Sequence, residues 1–102
     1  MRILVILSPT NKYGTKTAYS KLRKFLLSDG YVRISQEVFM RVVPTRKDVD
    51  MHYKRFYKYL PNTGTIRYLT FTELQYKNIK TFNFDNDTYE ETIGSNEHII
   101  IE

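Results

Sequence analysis

Catalysis needs nucleophiles, proton carriers or metal ligands at workable spacings, and this sequence offers few of them. The two imidazoles, His52 and His98, stand far apart, and neither belongs to a recognised metal-ligand motif. His52 falls beside the core stripe of a predicted helix and His98 in a terminal strand, which gives each a structural or surface role. Cysteine is absent, so a disulfide scaffold, a Cys-based zinc site and a thiol nucleophile are excluded. Ser8 has no base at a known catalytic spacing. No glycine-rich phosphate cradle occurs, and the late acidic residues match no calcium loop.

Cations are what the chain has in quantity. All 16 Lys and Arg lie in residues 1–80, against five acidic residues there, a charge of +11. Residues 81–102 hold six acidic residues and no basic one, a charge of −6, which returns the net +5 of the 102-residue chain. A basic body points to a polyanion, nucleic acid first. An acidic tail points to a second contact, either a basic protein or the chain's own basic surface. Lys12, Lys16, Lys21, Arg23 and Lys24 belong to one loop and helix, and Arg46, Lys47, Lys54, Arg55 and Lys58 to another. Lys12 and Lys16 lie near a helix start, where unpaired N–H groups and the helix dipole also favour phosphate. No base-reading helix motif is visible, so contact with the phosphate backbone is expected.

The elements that position these cations follow from periodicity. Arg2–Leu7 is an aliphatic strand without alternation, so burial on both faces is expected, with helices covering one face and a second subunit the other. Its five-residue apolar core is too short to cross a membrane. A helix is predicted over Thr15–Ser28, with Ala18, Tyr19, Leu22, Phe25 and Leu26 on its apolar side and Gly30 closing it. Tyr31–Val43 reads as two short strands with a turn or bulge at Ser35–Glu37; its even positions are mostly apolar. Thr45 and Asp48 have capping-box spacing and open a second helix to Leu60, with Val49, Tyr53, Phe56 and Leu60 in its stripe. Thr65–Thr72 is a strand, Glu73–Ile79 a short helical turn, and Glu97–Glu102 a terminal strand. Tyr19, Tyr53 and Tyr68 occupy periodic positions that suit core or interface.

The order β-α-β-β-α-β is that of an α+β, ferredoxin-like sandwich, here with an additional C-terminal strand. Residues 1–80 form the core, and 81–102 an acidic extension of the same single domain. The RNA readers of this topology carry aromatics on their central strands; the aliphatic first strand counts against that use.

Two stretches resemble a known family. Ala18-Tyr19-Ser20-Lys21-Leu22-Arg23-Lys24-Phe25-Leu26-Leu27-Ser28-Asp29-Gly30-Tyr31 is similar to the first helix of the small CRISPR-associated adaptation proteins of the Cas-two family, the type II branch especially. Ser35 to Val43 looks like the family's second and third strands, and Pro61 to Tyr76 resembles its last core strand and the signature that follows. The resemblance implies a cytoplasmic homodimer at the centre of the spacer-acquisition complex of antiviral defence. It implies bridging of two dimers of the integrase, Cas-one, with double-stranded prespacer DNA lying over the basic surface. Lys12, Lys16, Arg23 and Lys24 are the residues expected on that DNA. The terminal strand, with His98, Ile99, Ile100 and Ile101, is expected at the dimer or integrase contact.

One departure bears on activity. Family members usually end the first strand with an Asp credited with binding the metal for phosphodiester cleavage. Aligned on Pro9-Thr10, that place holds Leu7, and no Asp or Glu precedes Asp29. Without this carboxylate a divalent metal loses its main ligand. The expectation is therefore a scaffold with no catalytic residue, metal or cofactor. The alternative is a Mg²⁺-dependent ribonuclease or DNase of the same family.

Overall fold

The computed structural model describes residues 1–11 and 14–84. The elements run β1 (Arg2–Ser8), α1 (Thr15–Ser28), β2 (Val32–Ser35), β3 (Val38–Val42), α2 (Arg46–Tyr57), β4 (Thr65–Phe71) and α3 (Glu73–Lys77). The four strands form one sheet in the order β2-β3-β1-β4, and every neighbouring pair is antiparallel. Lys12, and the terminal strand with His98 to Ile101, lie outside the described residues.

Each helix ends where its sequence dictates. α1 closes in a Schellman arrangement: Gly30 N–H bonds Leu27 O at 3.2 Å and Tyr31 N–H bonds Leu26 O at 2.9 Å. Gly30 has φ +92°, and a Cβ there would collide with the Arg41 guanidinium. α2 opens with the expected capping box, Thr45 and Asp48 exchanging side-chain to backbone bonds. Bonding of Thr45 also holds the Asp48 carboxyl below its ordinary range. After Tyr57 the regular helix gives way to tighter bonds, Tyr59 N–H to Phe56 O and Leu60 N–H to Tyr57 O. The turn thus reaches Leu60 in a narrower form just before Pro61. A second capping box, Thr72 with Gln75, opens α3.

The helices cover one face of the sheet. Ile3, Val5 and Leu7 of β1 are buried there with Tyr19, Leu22 and Leu26 of α1, Phe39 of β3, and Val49 and Phe56 of α2. Register places Phe39 and Tyr68 on either side of Val5. β1 is therefore fully buried on one face only. Leu4 and Ile6 point to the other face and are half-buried, beside Met40 and Val42 of β3 and Leu69 of β4. Two helices suffice for one side of a four-stranded sheet, and among the described elements only α3 reaches the other, where Tyr76 stacks on Phe71 and lies under Arg2.

The alternation in residues 32–42 resolves the same way. Its apolar even positions, Val32, Met40 and Val42, lie on the open face, whereas the helix-covered face takes Phe39 and the flanking Tyr31 and Val43. Tyr53 is another difference: at the edge of the α2 stripe it stays about half exposed and packs its ring against Tyr68.

Candidate nucleic-acid interface

The turn from β1 into α1 builds the site. Gly14 caps α1 in a left-handed conformation and, being glycine, brings no side-chain cap of its own to the first helical N–H groups. The loop before β4 is tied onto this end: Thr15 Oγ1 and Thr63 Oγ1 are 2.9 Å apart, and Tyr19 Oη donates to Thr63 O at 2.7 Å. Burial raises the Tyr19 hydroxyl above its ordinary range, so it stays a donor. Gly64 follows at φ +75°, and a Cβ there would meet Ser8 O at 2.8 Å and overlap the Tyr19 hydroxyl.

Beside this anchor lies a cavity of about 370 Å³ lined by Pro9, Thr10, Asn11, Thr15, Lys16, Tyr19 and Arg23. Two of the expected DNA contacts, Lys16 and Arg23, meet here because they lie two turns apart on one side of α1. Lys24 is exposed on a different side of the helix.

Arg23 is not a loose cation. Its Nε and Nη2 donate to the Glu37 carboxylate at 2.9 and 2.6 Å, and both side chains are 26% exposed. The pairing with Arg23 holds the Glu37 carboxyl below its ordinary range. Glu37 also ties the β2–β3 turn to the end of β1, where its carbonyl accepts from Leu7 N–H at 2.9 Å. The Arg23–Glu37 pair spans 14 positions and has no local spacing signature, so only the fold discloses it.

The other described carboxylates are placed as follows. Asp29 bonds His52 and Arg55, Asp48 caps α2, Glu73 bonds Arg2, and Asp50 is exposed on α2. His52 is buried beside the core, while Arg55, grouped by sequence with the surface cations of the second helix, turns back to Asp29. No group of three or more metal-ligating side chains exists among the described residues. The end of β1 does not fit a divalent metal: Leu7 is apolar and 3% exposed, and the neighbouring Glu37 is already bound by a guanidinium.

No protein-family model matches the chain. Curated proteins do. A CRISPR-associated endoribonuclease Cas2 of Acidovorax ebreus is 36% identical over 81 residues, 78% of this chain and 79% of that protein. The chain belongs to the Cas2 family. A Cas2 of Treponema denticola is 26% identical over 106 residues and spans 99% of both chains, the acidic extension included. The crystal structure of Streptococcus pyogenes Cas2 at pH 6.5 superposes with a TM-score of 0.58 and 19% identity, covering 81% of this chain and 100% of that one. That likeness shows a common fold. No described helix is long and apolar enough to cross a membrane.

Proposed function

We propose that this Cas2-family chain is a non-catalytic, DNA-binding scaffold of CRISPR spacer acquisition, which bridges integrase dimers and holds prespacer duplex. The observation that carries this reading is the end of β1, where the family's metal-binding carboxylate is replaced by buried Leu7 and the nearby Glu37 is neutralised by Arg23. What remains around the α1 start is a cationic helix end, capped by a glycine, suited to a phosphate backbone.

The strand order β2-β3-β1-β4 supports the ferredoxin-like reading. The half-buried Leu4, Ile6 and Met40, with the exposed Val32, Val42 and Leu69, make an apolar sheet face suited to a second copy. The acidic residues 81–102 are assigned to the same domain, and His98 to Ile101 to the dimer or integrase contact. Lys12, Lys16, Arg23 and Lys24 are assigned to duplex DNA.

Reconstitution with the integrase and a prespacer duplex tests the reading, scoring complex formation and integration together. Integration that requires this protein, with no Mg²⁺- or Mn²⁺-dependent cleavage by the protein alone, supports it. Metal-dependent cleavage by the pure protein, abolished by substitution at the end of β1, replaces it with the nuclease reading.

A further inference from the structure

One buried polar cluster has no part in the scaffold just described. His52 lies beside the core stripe of α2 and is 3% exposed. Its Nδ1 is 2.8 Å from Arg55 Nη2 and 3.1 Å from Asp29 Oδ2, and the same Nη2 lies 2.7 Å from Asp29 Oδ1. A guanidinium nitrogen only donates and a carboxylate only accepts. One ring nitrogen cannot satisfy both partners. With a lone pair at Nδ1, His52 accepts from Arg55. With a proton there, it donates to Asp29 and confronts the Arg55 N–H.

We propose that His52 is a proton-operated latch, which holds Arg55 against the end of α1 when neutral and turns it out to the surface of α2 when protonated. The coupling to function rests on the reading of the basic surface as a DNA face: Arg55, once released, joins Lys54 and Lys58 as a further phosphate-seeking cation.

The surroundings decide which group moves. Asp29 comes from the end of α1 and Arg55 from α2. The Arg41 guanidinium, from β3, donates to the Asp29 carbonyl. Tyr31 stands edge-on to the imidazole at 6.4 Å, and Asp48 lies in the first turn of α2, its carboxyl held low first by Thr45. The Tyr68 hydroxyl of β4 is buried, as is that of Tyr31, and burial raises both above their ordinary range. Neither supplies a negative charge near neutrality. Protonated His52 therefore becomes a second cation beside Arg55 on the one carboxylate that both bond, Asp29, while Arg41 sits on the neighbouring carbonyl. Arg55, 40% exposed, is the cation with a path to water, whereas Arg41 has its Nε buried.

The test uses ¹⁵N-labelled whole protein titrated from about pH 8 to about pH 5.5, the range in which an imidazole exchanges its proton. Imidazole nitrogen shifts report the His52 proton, and the exchange protection of the Arg55 side-chain N–H reports its release. One shared transition is expected, retained in His98→Gln and absent in His52→Gln. Duplex binding followed in parallel is expected to tighten with acid by up to about eightfold at about 0.1 M salt, the effect of one more phosphate contact. Arg55→Gln, which leaves the core packing alone, is expected to lose that acid gain. The latch is overturned if Arg55 stays protected while His52 titrates, or if His52 does not titrate. Release of Arg55 without an acid gain in binding overturns the coupling. Failure to bind duplex at any pH removes the DNA reading, and the nitrogen shifts still judge the latch.

Discussion

Glu37→Gln should make the protein less stable and a stronger DNA binder at once. In the native chain Glu37 takes two bonds from Arg23, at 2.9 and 2.6 Å, with both partners mostly shielded from water. Charge-assisted bonds of this kind contribute about 1.5–3 kcal/mol, and the glutamine oxygen retains one neutral bond, so the net loss is about 1 kcal/mol. For a domain of this size that lowers Tm by about 4–8 °C. The substitution also removes the carboxylate charge that offsets Arg23, which already lines the cavity at the α1 start with Lys16, so Arg23 meets DNA with its full charge. A phosphate contact that counts in full steepens the slope of log K against log salt by up to about 0.9 and tightens binding by up to about eightfold at about 0.1 M salt. Thermal melts and fluorescence anisotropy at several salt concentrations read both quantities. The pH dependence follows from the same pair. The Glu37 carboxyl is depressed in the folded state, so its contribution is complete above its unfolded value and disappears as pH falls through the folded value. The stability gap between native protein and variant should therefore close on acidification through the carboxylate range. A variant that melts lower but binds with an unchanged salt slope would refute the placement of DNA at this cavity.

Three further outcomes are expected. Gly64→Ala should cost about 1–3 kcal/mol, because φ +75° and the close Ser8 carbonyl leave no room for a methyl group; an unshifted urea midpoint counts against the Tyr19–Thr63 anchor. Lys16→Glu and Lys24→Glu make the same charge change, and both should weaken duplex binding and flatten its salt slope. Lys16→Glu should do so more strongly, since Lys16 lines the cavity; equal effects would indicate a diffuse field rather than a site. Thr45→Ala removes the acceptor of the α2 capping box and should cost about 1 kcal/mol by chemical denaturation, with duplex affinity measured below the new midpoint unchanged.

Much of the framework is legible in the amino-acid order because it is local. The span of α1, its glycine stop, the Thr45–Asp48 cap, the β2–β3 turn and the short α3 all depend on residues within a few positions of one another. The family resemblance and the missing early carboxylate are likewise properties of the linear text. The tertiary structure decided what depends on register. Alternation in residues 32–42 shows that the two faces differ, but only pairing with β1 settles that Phe39 goes inside and Met40 and Val42 outside. Lys16, Arg23 and Lys24 form a uniform cationic run in the sequence. In the fold, Glu37 crosses from the β2–β3 turn to hold Arg23, leaving Lys16 at the cavity and Lys24 on another side. Asp29, His52 and Arg55 are unremarkable apart and become one coupled group where the end of α1 meets α2. Charge pairs across such distances leave no periodic trace, because their spacing is set by how helices and strands pack.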